Sequence, residues 1–153
     1  MITLAAGSQV ISAVRADLRE VVAPTVTDPT ATLTLQMIDM VLGQLENSAD
    51  DQGAWMREEI AGIEALADEV LPALPDTRAV AEALAGLRAG RAPSERLGEV
   101  RAEYKLASEV LSVVLEAVVS TPGPLKDRAL GVLAARLERE QTIRGEFVLV
   151  GQT

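Results

Sequence analysis

Neither cysteine nor histidine occurs in this 153-residue chain. Their absence excludes disulfides, thiol nucleophiles, imidazole bases, histidine-based triads and zinc fingers, and much of enzyme chemistry with them. Aromatic rings are almost missing as well, Trp55, Tyr104 and Phe147 being the whole set. Stacking on bases or sugars needs several rings on one surface, which three scattered positions do not supply. Lysine is reduced to Lys105 and Lys126 among 14 basic residues, against 23 acidic ones, for a net charge of −9. Such a chain repels phosphate backbones and anionic lipid, so neither nucleic acid nor membrane is expected as a partner. The arginine and alanine bias points to a GC-rich bacterial genome. Met1 to Gly7 lacks the basic start and apolar run of a leader, and a cytoplasmic protein is expected.

What is there is aliphatic. Hydrophobic residues make up 48% of the chain, so Leu, Val, Ile, Met and Ala must build the core, and the length suits one domain. Helical spacing recurs nearly throughout, with no repeat and no low-complexity stretch. Ser8 is the expected cap of a first helix that carries Val10, Ile11, Val14, Leu18 and Val21 and stops at Pro24. Asp28 followed by Pro29 opens a second, reaching about Asn47. Its apolar positions Leu33, Met37, Val41 and Leu45 form one face and Gln36, Asp39 and Glu46 the other, which places Asp39 at the surface.

A third helix turns Met56, Ile60, Ile63, Ala67, Val70 and Leu74 inward, with Pro72 near its end. A fourth, capped by Asp76 or Thr77, carries Val80, Leu84 and Leu87, and Gly90 is expected to close it in left-handed geometry. After Pro93 and Ser94 comes the longest element. Leu97, Val100, Tyr104, Ala107, Leu111, Val114 and Val118 keep three-four spacing, and Leu106, Val110, Val113 and Ala117 add a second stripe. Val110 to Val119 is thus apolar nearly all round, which predicts a central or interfacial position. Those ten residues are too few for a bilayer, which takes about 20. The last helix starts near Pro124, turns Leu130, Leu133 and Leu137 inward and ends at Gly145. An apolar tail, Phe147 to Val150, follows.

Four groupings bear on chemistry. Glu58, Glu59, Glu64, Asp68 and Glu69 crowd the third helix behind Asp50 and Asp51. A divalent cation is one reading, but without histidine the Glu-x-x-His di-iron motif is excluded, and acids near a helix start read as a solvated face. Arg88, Arg91 and Arg96 surround the turn before the fifth helix as a candidate anion site, although Arg88 at a helix end and Glu95 at a helix start also suit the helix dipoles. Trp55 and Met56, with Met37 and Met40, are either pocket lining or core. Tyr104 on the seam needs a partner for its hydroxyl if buried.

The pattern predicts an all-α, up-and-down bundle of about five or six helices in one domain, four long helices forming the core and the Asp76 to Gly90 helix across an end. The function expected is a non-catalytic interaction or accessory protein, without cofactor or metal, that associates with itself or another protein. Val110, Val113 and Ala117, with Phe147, Val148 and Leu149, are the candidate interface. The alternative is a small-ligand-binding bundle or a carboxylate and arginine enzyme, possibly with a divalent cation. It requires a cleft of several hundred Å³ in which acids or arginines converge.

Overall fold

The computed structural model describes residues 6–145. The fold is an all-α helical bundle, with six α-helices among the described residues: α1 (Gly7–Asp17), α2 (Pro29–Ser48), α3 (Gln52–Ala73), α4 (Arg78–Ala89), α5 (Leu97–Val119) and α6 (Pro124–Arg144). None of them is long and apolar enough to cross a membrane. The chain divides into two compact units, Gly53–Leu137 and a discontinuous one made of residues up to Gln52 and from Glu138 onward.

The contiguous unit holds the hydrophobic core. Ile60, Ile63, Leu66, Ala67 and Val70 of α3, Val80, Leu84 and Leu87 of α4, and Val100, Ala107, Val110, Leu111, Val114 and Val118 of α5 are buried together. These are largely the residues that helical spacing selects. Three expectations are corrected here. The core is shared by α3, α4, α5 and the start of α6, so α4 is a full member, whereas α1 buries no residue and α2 only Gly43 and Ser48. Leu97, in the first turn of α5, is exposed. The inward face of α6 is Leu125, Ala129 and Val132, while Leu130 and Leu137 are exposed, because apolar residues on this helix spread around its circumference and their spacing picks no face.

Gly90 does not take left-handed geometry, its φ being −91°. It is small for another reason: a Cβ there would lie 2.3 Å from Leu106 Cδ1.

The discontinuous unit pairs α1 with α2. Ser8 does not cap α1. That helix starts after Ala6, whose N–H donates to Gln9 Oε1 at 3.2 Å, and both the N–H and hydroxyl of Ser8 donate to Asp50. Past Asp17 the chain widens into a π turn, with the Ala23 N–H on the Leu18 carbonyl, and then tightens into a 3₁₀ turn around Pro24. Proline has no N–H to continue the ladder, so the helix ends there. Asp28 caps α2 as expected, its Oδ1 accepting from the Ala31 N–H at 2.8 Å, with Pro29 at the first helical position.

Candidate functional site

In α2, positions 39, 43 and 46 fall on one face, because a helix brings residues three and four apart to the same side. Arg15 of α1 lies across that face. Its Nε donates to Asp39 Oδ1 at 3.1 Å and its Nη1 to Glu46 Oε2 at 2.5 Å, and Arg19 Nη2 adds a 2.7 Å bond to Asp39 Oδ2. Gly43 leaves room for the crossing. The hydrogen bond to Asp39, then that to Glu46, raises the Arg15 pKa. Burial pushes the Asp39 carboxyl up, but the bonds from Arg15 and Arg19 outweigh it and hold the group below its ordinary value. Glu46 is also held low, by Arg15 and then Ser12. Asp39 is therefore not the surface acid that its place on the polar face of α2 implies; it is half-buried in an ion-pair cluster.

The cluster inverts α2. Its polar face turns to α1, and its apolar stripe is left outward: Leu33, Met37, Val41 and Leu45 are 50–58% exposed, with Ile38 beside them. Between Pro29 and Ser48 the sequence has no charge other than Asp39 and Glu46. Both are engaged by Arg15, so the outer face of a 20-residue helix in a strongly acidic chain carries no charge at all.

A half-open groove of about 900 Å³ shares Leu33 and Met37 with this face, and Leu18, Gln36, Met40 and Gln44 also line it. At its far end stand Asn47, Arg144 and Gly145. The Asn47 side-chain amide donates to the Ile143 carbonyl at 3.3 Å and, at 3.5 Å, to that of Thr142, which ties the end of α6 to α2. Gly145 ends α6 as expected, in left-handed geometry at φ +70°, its N–H on the Gln141 carbonyl. Met37 and Met40 thus line a pocket, but Trp55 and Met56 do not join them; Met56 belongs to the core of the other unit. The groove has the volume required of a ligand cleft. Arg15, Arg19 and Asp39 pair with one another at its side and do not converge on the open space.

The other candidate groups lie in the contiguous unit. Arg88 pairs with Glu64 (2.8 Å) and Asp68 (2.7 Å), and Arg91 with Glu64 (2.7 Å). Arg96 stands apart at the start of α5, its N–H on Ser94 Oγ. Of the α3 acids, Glu64 and Asp68 are thus knitted to arginines, and Glu69 likewise to Arg128 at 2.9 Å. Among the described residues, no group of three or more acidic side chains is placed to hold a metal ion. Tyr104 donates to Glu59 Oε2 at 2.5 Å, beneath the Arg136 guanidinium at 5.0 Å from the ring centroid. Of the candidate interface residues, Val110 is fully buried in its own core, Val113 and Ala117 pack half-buried against it, and Phe147, Val148 and Leu149 lie outside the described residues.

Sequence reasoning passed over Arg15, Gly43 and Glu103. The last is 2% exposed, bound by Arg57 Nη1 at 2.5 Å and by the Ala92 N–H at 3.1 Å, with Arg91 at 3.9 Å. A visible signal existed for two of them: a glycine in mid-helix between two acids, and a glutamate three residues from Val100 and four from Ala107 on a buried seam.

Comparison with protein-family models, curated proteins and solved structures finds no match for this chain.

Proposed function

We propose that the chain is a non-catalytic interaction module that pairs with a second copy of itself through the outer face of α2. The observation that carries this reading is the uncharged, apolar exterior of α2, turned outward because Arg15 holds the acids on the opposite side. A contiguous run of exposed apolar side chains along one helix face marks a contact site. A second copy fits it for an electrostatic reason. Two chains of net charge −9 repel each other over most of their surface, and they meet without repulsion where charge is absent. The spacing of Leu33, Met37, Val41 and Leu45 is that of the i±4 ridge, which interdigitates with its own copy in helix packing, and a two-fold contact uses the same patch twice.

Light scattering on the intact chain tests this. The expected mass is twice the 16.2 kDa of one chain. Val41→Glu with Leu45→Glu is expected to halve that mass while leaving the helical circular dichroism unchanged, since both side chains are exposed within one chain. A wild-type chain that stays monomeric at 100 µM overturns the reading, as does a double variant of unchanged mass.

A further inference from the structure

We propose that the self-contact through α2 is antiparallel, the Val41 and Leu45 end of each ridge seating in the other copy's groove beside Leu33, Met37 and Met40. The inference rests on the pairing proposed above and adds its direction and the groove's part in it.

The ridge alone is too small. Leu33, Met37, Ile38, Val41 and Leu45 are each about half exposed, 42–58%. Five aliphatic side chains in that state offer well under the roughly 800 Å² per partner that a stable interface buries. The groove is apolar surface continuous with the ridge: it contains Leu33 and Met37, and Leu18 of α1 and Met40 of α2 line it as well. Methionine adapts its shape to an irregular partner, which suits Met37 and Met40 to receive a side chain from another helix.

Two-fold symmetry then divides the ridge. Where one patch is used twice, what fills a copy's groove has to come from a part of the ridge outside the groove. Leu33 and Met37 belong to the groove lining, whereas Val41 and Leu45 do not. The first half of the ridge is therefore the receptor and the second half the insert. Both halves lie on one helix, so satisfying the two seats at once turns the paired α2 helices antiparallel, with the symmetry axis between Met37 and Val41.

Charge selects the same direction. Leu33, Met37 and Met40 line the groove along the first part of α2, while Gln44, Asn47 and the exposed Arg144 stand at its other end. Arg15 and Arg19 also border it, but Asp39 and Glu46 neutralise them. A parallel pair would lay Leu45 against the other copy's polar end and bring both Arg144 side chains to the same end of the contact, where like charges repel. The antiparallel pair sets aliphatic groups on the apolar stretch and leaves the two guanidiniums at opposite ends, in water.

The chain contains no native cysteine, so disulfides report the direction. Leu33 and Leu45 lie about 18 Å apart along α2. Chains carrying only Leu33→Cys are mixed with chains carrying only Leu45→Cys and oxidised at a concentration where the wild type is dimeric. The mixed disulfide is expected to form at least five-fold faster than either disulfide between like chains. Like-chain disulfides that form faster, or equal rates for all three, overturn the proposal, while a doubled mass in light scattering leaves the pairing through α2 standing. Met40→Glu reads the groove separately. It is expected to weaken association at least ten-fold with the helical circular dichroism unchanged, and unchanged association overturns the proposal. A wild type that stays monomeric removes the pairing itself, and this inference with it.

Discussion

Arg15 crosses α2 so closely over Gly43 that a β-carbon at position 43 would lie 2.9 Å from its Nη2 and 3.0 Å from its Cζ. The helix therefore carries its most helix-breaking residue short of proline where the ion pair passes. Gly43→Ala tests which need dominates. Alanine favours the helix by about 1 kcal/mol, but its methyl displaces the guanidinium, whose flexible stem lets it move. Global stability is expected to change by less than about 1 kcal/mol, while the Arg15 Nε–H resonance shifts toward its solvent-exposed position. An unchanged Arg15 resonance would show that the crossing tolerates a side chain.

The same cluster sets a pH dependence. Asp39 and Glu46 are both held below their ordinary values in the folded chain. Unfolding returns them to about 3.9 and 4.3. The unfolded state then binds more protons as the pH falls through that range, so the stability the two groups contribute is complete above about pH 5 and is lost as the pH drops through their folded values. Thermal melts at pH 7 and pH 3 are expected to show a smaller loss for Asp39→Asn than for the wild type. A parallel loss in both would place the acid sensitivity elsewhere.

Glu103 is the most buried charge among the described residues, and Arg57 ties it to the chain between α4 and α5 through the Ser94 carbonyl (3.2 Å) and Glu95 (3.2 Å). Removing one partner of a buried pair leaves the other without compensation, so Glu103→Ala is expected to cost about 3 kcal/mol. Arg57→Ala added to it should cost far less than its own single effect, because both changes remove one cluster. Urea unfolding of the two single variants and the double variant checks this, and additive losses would contradict it.

Val113 packs half-buried against the core of α5, whereas Val41 is exposed on α2. Val113→Glu is expected to lower stability by about 2 kcal/mol and to leave the assembly state of the folded protein unchanged. The Val41→Glu and Leu45→Glu pair should do the reverse. A dimer that dissociates on Val113→Glu without loss of melting temperature would move the contact from α2 to α5.

The legibility of the sequence differed between the units for a physical reason. In α4 and α5, Val80, Leu84, Leu87, Val100, Ala107 and Val114 point where their spacing says, because the apolar face there is the one other helices cover. For α2 the periodicity identified two faces correctly and could not tell which one meets α1. That choice was made by Arg15 on another helix, 24 residues before Asp39, and periodicity within α2 has no access to it. On α6, Ala129 packs into the core where Leu130 does not, because apolar residues lie all round this helix and the leucine spacing picked the wrong side. The arginines of the candidate anion site were visible as a cluster, but the carboxylates that occupy Arg88 and Arg91 belong to α3, and only the folded chain brings them together.

The bond from Asn47 to Thr142 joins residues 95 positions apart. During synthesis at about 5–20 residues per second, roughly 5–20 s separate the emergence of α2 from that of the segment it holds. The contiguous unit can collapse within this interval, but the first unit waits for the end of α6. Through that delay the nascent chain displays the uncharged, aliphatic outer face of α2 to every neighbouring copy on the same messenger.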